Sequence, residues 1–154
     1  MAAPFFDDSA RQIFRLAAKE AQILGAHHIG TEHLLLGLLA AESHNTVELL
    51  TEQGVTRHML LSEILKITQY DGGNAASKRL SYTQRAKRVI EFAIGEMEKY
   101  GNDTVTPDYF LLAVLCENAD HISVATQSLK NTGFDLLLAE EKIRNRQSTA
   151  TNDG

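Results

Sequence analysis

Apolar side chains return at helical spacing in several separate stretches of this chain, and the succession of stretches then occurs a second time. Ile13, Leu16, Ala17, Ala21 and Leu24 lie along one face of a helix predicted over about 8–24. Asp7 is placed to cap its start, and Gly25 to end it with a left-handed residue. Thr31 is read as the cap of a second helix reaching to about Glu42. Val47, Leu49 and Leu50 mark a short third helix that stops near Gly54, and a fourth runs from about Arg57 to Thr68. Similar patterns follow over about 84–100, 107–118, 122–132 and 135–146, with Thr83 in the place of Asp7 and Pro107 in a first turn, where proline is tolerated.

The two halves align at an offset of 76 residues. Ala10 falls on Ala86, Ala17 on Ala93, Glu20 on Glu96 and Gly25 on Gly101. Leu35, Leu36 and Leu39 fall on Leu111, Leu112 and Leu115, and after a three-residue insertion "ELLTEQGV" (48–55) falls on "QSLKNTGF" (127–134). A repeat of this kind fixes the architecture. The second helix of each half is apolar nearly all round ("LLLGLL", "FLLAVL"), so both are expected to be buried. The fold class read from this is all-α: a pseudo-two-fold bundle of two four-helix repeats, at about 6–68 and 82–146. The connection at about 69–81 contains "YDGGNAASKRL" and reads as a loop. The polar tail at 147–154 has no hydrophobic period and reads as disordered or as a linker.

Composition narrows the function. A net charge of −5 argues against a nucleic-acid binder, which needs a basic footprint. The local exception is Lys78, Arg79, Arg85, Lys87 and Arg88, most simply a solvated linker and helix face, or else a partner contact. No apolar run nears the roughly 20 residues that cross a bilayer, and the N-terminus lacks a secretory pattern. Cys116 is the only cysteine and sits in an apolar stretch, which suits a core residue in a reducing compartment. A cytoplasmic protein is expected. His27, His28, Glu32 and His33 lack the H-E-x-x-H spacing, and the second half has Asp103, Thr104, Asp108 and Tyr109 in their places, so no metal is expected. No cofactor is expected either. The chain carries no G-x-x-x-x-G-K-[ST] phosphate loop and no nucleophile signature, and it reads as a non-enzyme.

"FDDSARQIFRLAAKEAQILGAHHIGTEHLLLGLL" and "YTQRAKRVIEFAIGEMEKYGNDTVTPDYFLLAVL" resemble the double Clp repeat, the N-terminal domain of Clp-family AAA+ unfoldases, most of all the ClpC type. The resemblance covers about residues 6–146. It implies a module that docks protein substrates or adaptors for an ATP-driven ring feeding a protease. It also implies a phosphoarginine side chain held in each repeat: an acid of the "GTEH" motif takes the guanidinium, and a threonine of an "[FY]T" motif helps hold the phosphate. Glu32 with Thr31, and Asp108 with Thr106, fill the first role; Thr83 fills the second, where the first repeat has Asp7.

Carboxylate and guanidinium form a charge-assisted pair, and phosphate suits a helix N-terminus. Paired within each repeat, the motifs leave two half-matching sites. Asp7 would repel a phosphate beside Glu32. Asp108 is one methylene short, and Pro107 removes a backbone donor. An unmodified arginine or a basic degron tolerates Asp7 better. Glu32, Thr31 and Thr106 also have plain roles as first-turn acid and caps. Two settings remain open: the front domain of a larger unfoldase, or a free-standing accessory or regulatory subunit that docks on a Clp ATPase or peptidase or competes for its adaptors.

Overall fold

The computed structural model describes residues 5–41, 45–68, 70, 80–117 and 121–152. Lys78, Arg79 and most of the expected connecting loop lie outside the described residues, as do Glu42, at the expected end of the second helix, and the last two residues of the expected tail. Eight helices are present among the described residues. Repeat one contributes α1 (Asp8–Leu24), α2 (Thr31–Ala40), α3 (Thr46–Thr51) and α4 (Arg57–Thr68). Repeat two contributes α5 (Gln84–Lys99), α6 (Pro107–Cys116), α7 (Val124–Asn131) and α8 (Leu136–Asn152). The all-α, two-times-four architecture is the one the periodicity predicts.

The two helices that are apolar all round form the centre. Thr31 to Leu38 of α2 and Pro107 to Leu115 of α6 are buried without a break. α1 lies against α2 at very close range. A β-carbon on Gly37 would stand 2.6 Å from the Ile13 carbonyl oxygen and 2.8 Å from the Ala17 nitrogen, so no side chain fits there. Ala10, Ala17 and Ala21 on the buried face of α1 suit this close approach. Glu20 and Glu96, matched in sequence, each hold an arginine of their own repeat's fourth helix: Arg57 at 2.5 Å and Arg144 at 2.8 Å.

The repeats are joined crosswise. The lead-in to α1 pairs in parallel with the loop before α6 (Phe6 with Val105), and the loop before α2 pairs with the lead-in to α5 (Ile29 with Tyr82). Asp7 N donates to the Val105 carbonyl at 3.2 Å, and Thr83 N to the Ile29 carbonyl at 2.9 Å. Phe6, Phe14 and Phe110 pack edge-on or tilted beneath this seam, with centroids 5.1–6.1 Å apart.

Three local expectations are corrected. Thr31 does not cap α2; Gly30 does, and Thr31 Oγ1 accepts instead from the Ala125 amide at 3.3 Å, tying α2 to α7 of the other repeat. Thr106 is at the cap position of α6, but its side chain makes no capping bond. The polar stretch from 147 does not leave the fold at 146: α8 continues to Asn152. Gln147 is buried and donates to Asp108 Oδ2 at 3.1 Å, a polar anchor that no count of apolar residues detects. Asp7 and Thr83 do cap their helices, accepting from Ala10 N at 2.7 Å and Ala86 N at 3.1 Å.

Candidate functional site

The crossed seam decides which sequence-predicted residues meet. Thr83 follows the strand-like contact with Ile29, so it stands beside the start of α2, not α6. Glu32 and Thr83 therefore line one groove, with Gly30, Thr31 and residues of α4, α5 and α7. The groove encloses about 780 Å³. Asp7 lies in the other direction, hydrogen-bonded to the loop that leads to Asp108. Pairing within each repeat, expected from the sequence, is not what the chain does.

Glu32 is buried, and its carboxylate folds back over Gly30. A β-carbon at position 30 would be 2.3 Å from Glu32 Oε1, so any other residue there would push the carboxylate out of this position. The one hydrogen bond to this carboxylate among the described residues comes from the Tyr70 hydroxyl, at 2.5 Å to Oε2. Burial, with the hydrogen bond to Glu32 added, pushes the Tyr70 phenol far above its ordinary value, so it stays a donor. His33 Nδ1 accepts from the Gly30 amide at 2.8 Å, which commits that nitrogen and fixes the turn.

Across the groove lies the N-terminus of α5, capped by Thr83, the positive end of a helix dipole. Arg85 and Arg88 stand on its first turns and line the groove. Arg85 is pinned: Nε donates to Glu117 Oε2 at 2.7 Å, and Nη2 to the carbonyls of Glu117 (3.2 Å) and His121. Arg88 has no ion pair among the described residues. Ile67, Ile122 and Val124 supply apolar wall. Tyr70 carries no signal in the sequence pattern; Arg85 and Arg88 read there as a solvated face or a partner contact, and Arg88 is indeed exposed, with both arginines lining the groove.

The pseudo-equivalent place in repeat two is different. It is a small cavity of about 220 Å³ lined by Asn45, Thr46, Thr106, Pro107, Asp108 and Arg146. Asp108 is buried and already bonded on both oxygens: Thr46 Oγ1 at 2.6 Å, Arg146 Nη1 at 3.1 and 3.4 Å, Gln147 Nε2 at 3.1 Å. One groove is therefore open, with an acid facing amides and cations. The other is closed around its acid.

Comparison with known proteins agrees with this architecture. The family model for the Clp repeat (R) N-terminal domain matches residues 5–145. This chain belongs to that family. Among relatives of the Clp repeat domain, it is 32% identical over 138 residues to the negative regulator of genetic competence ClpC/MecB of Bacillus subtilis, and 30% identical over 138 residues to the chaperone protein ClpB of Oceanobacillus iheyensis. Each match takes in 90% of this chain but 16% of the relative, so the chain spans about a sixth of their length. The crystal structure of the N-terminal domain of ClpD from Arabidopsis thaliana superposes with a TM-score of 0.75 at 23% identity, covering 95% of this chain and 96% of that one. The Hsp104 N-terminal domain of Candida albicans gives 0.72 at 16% identity, covering 94% and 93%. The fold is that of a Clp N-terminal domain, and the chain is homologous to the N-domains of Clp ATPases. Among the described residues no helix is long and apolar enough to cross a membrane.

Against the family's motif residues, the crossed arrangement sorts the departures. The groove beside α2 holds both motif types, Glu32 and Thr83. The place beside α6 has its acid as the shorter Asp108, and the seam next to it carries Asp7 where the other carries Thr83.

Proposed function

We propose that this Clp repeat domain is the non-enzymatic docking module of a Clp ATPase system, and that it takes an arginine-bearing segment of a client or adaptor in the groove between Glu32 and Thr83. The observation that carries this reading is the groove's polarity. Among the described residues, a buried carboxylate with one phenolic partner faces a capped helix start and an Arg88 that has no ion pair. A guanidinium suits the first and an anion the second. A phosphorylated guanidine carries both on one side chain, and Asp7 is no obstacle to it, because Asp7 belongs to the other seam. The bound segment would be handed to an ATP-driven ring that this chain does not supply.

The test is a titration with a phosphoarginine peptide beside its unmodified twin, followed through backbone amide shifts. The expected shifts cluster at Thr31–His33 and Thr83–Arg88, with the modified peptide binding more tightly. Glu32→Gln leaves the fold intact and weakens the peptide about tenfold or more, since a hydrogen bond to a charged group contributes roughly 1.5–3 kcal/mol. Equal affinity in Glu32→Gln and the unsubstituted protein rejects this assignment of the site.

A further inference from the structure

We propose that Arg146 is a built-in occupant of the second acidic pocket, so that this double repeat offers one open arginine site and keeps the other filled by its own chain. The inference rests on the reading above that a carboxylate at the start of a central helix takes a guanidinium.

The register of the repeat shows where the difference arises. The alignment that lays Gly54 on Gly133 and Ile64 on Ile143 lays Ile67 on Arg146. Ile67 lines the open groove, and among the described residues no cation pairs with Glu32. At the matching place on α8, Arg146 puts its guanidinium on Asp108, 3.1 and 3.4 Å from the two oxygens. A carboxylate has about four acceptor positions. At Asp108 they are taken by Thr46 and Arg146 on Oδ1 and by Arg146 and Gln147 on Oδ2. At Glu32 one is taken, by Tyr70. The two cavities follow suit, about 780 Å³ against about 220 Å³.

Arg146 is held on a helix anchored by the buried Gln147, so it competes as a tethered ligand. Even flexible short tethers give effective concentrations on the order of mM. A single arginine side chain from a partner does not displace it. The kind of partner follows: segments engaging this module present one arginine-type side chain per domain, not a pair spaced to span both repeats.

The experiment titrates N-acetyl-arginine amide and follows amide shifts in the full chain and in Arg146→Met, which keeps the aliphatic reach and removes the guanidinium. The expected result for the unsubstituted protein is one set of shifts, at Thr31–His33. Arg146→Met adds a second set at Thr106–Tyr109. That second set persists when Glu32→Gln is added and disappears when Asp108→Asn is added. Shifts at Thr106–Tyr109 in the unsubstituted protein overturn the proposal, and so does a folded Arg146→Met that gains none. If the second set appears in Arg146→Met while the unsubstituted protein shows no shifts at Glu32, the groove reading fails and the role of Arg146 stands. Circular dichroism reports folding. Should methionine disrupt α8, Arg146→Gln repeats the test with a neutral side chain that still hydrogen-bonds.

Discussion

Burial pushes the His33 pKa below its ordinary 6.5, outweighing the pull of Glu32 and Glu20. The neutral ring is therefore the native form, with Nδ1 accepting from Gly30. The unfolded chain takes up the proton first as pH falls, so stability is complete above about 6.5 and is lost on acidification toward the folded-state value. We expect urea unfolding to show lower stability at pH 5 than at pH 7, with a smaller difference in His33→Asn, whose amide oxygen can replace Nδ1. Cys116 responds in the other direction. Burial, helped by Glu140 and opposed by Arg144, raises its thiol to about 11. Little of it is thiolate at pH 8, so iodoacetamide should label it far more slowly than free cysteine there, with the rate still climbing toward pH 11. Neither shift could be read from sequence, where His33 is one of several histidines near a glycine and Cys116 only an apolar neighbour.

At the scale of elements, the close contact of α1 and α2 is the most sensitive joint. Gly37→Ala gains about 1 kcal/mol of helix propensity but drives a methyl group into the α1 backbone. Overpacking of this kind costs typically 1–3 kcal/mol, and here the obstacle is main chain, so net destabilisation is expected in thermal or urea unfolding. The helices themselves were legible because their apolar faces recur at helical spacing and their caps are ordinary residues: Asp7, Thr83 and Gly25 do what their types suggest. Thr31 was misread because glycine makes an equally good extended cap, and the threonine had a partner 94 residues away. The end of α8 was misread because its anchor is a hydrogen-bonded glutamine, not an apolar face.

For the whole molecule, the sequence repeat disclosed two four-helix units but not how they interlock. An alignment of halves compares Glu32 with Asp108 and Asp7 with Thr83; it is silent on which of these are neighbours. That depends on two short parallel contacts, Phe6 with Val105 and Ile29 with Tyr82, whose residues carry no distinctive motif. Crossing also means that Thr46 of α3 bonds Asp108, and that α7 of repeat two receives Thr31 of α2. Each repeat expressed alone would lose these partners and expose one wall of the Phe6–Phe14–Phe110 cluster. We expect residues 5–68 alone to lack a cooperative unfolding transition, and mixing with the complementary segment to restore one, as read by circular dichroism.

The crossed seam has a consequence for descent. In a chain built as two such halves, neither half owns a pocket. A change at position 83 is felt at Glu32, and a change at position 7 is felt beside Asp108. Asp7 and Arg146 therefore bear on the same pocket and leave its twin untouched. Among descendants of such a chain, position 32 should covary with 83 and position 108 with 7 and 146, a pattern of inheritance that runs across the halves.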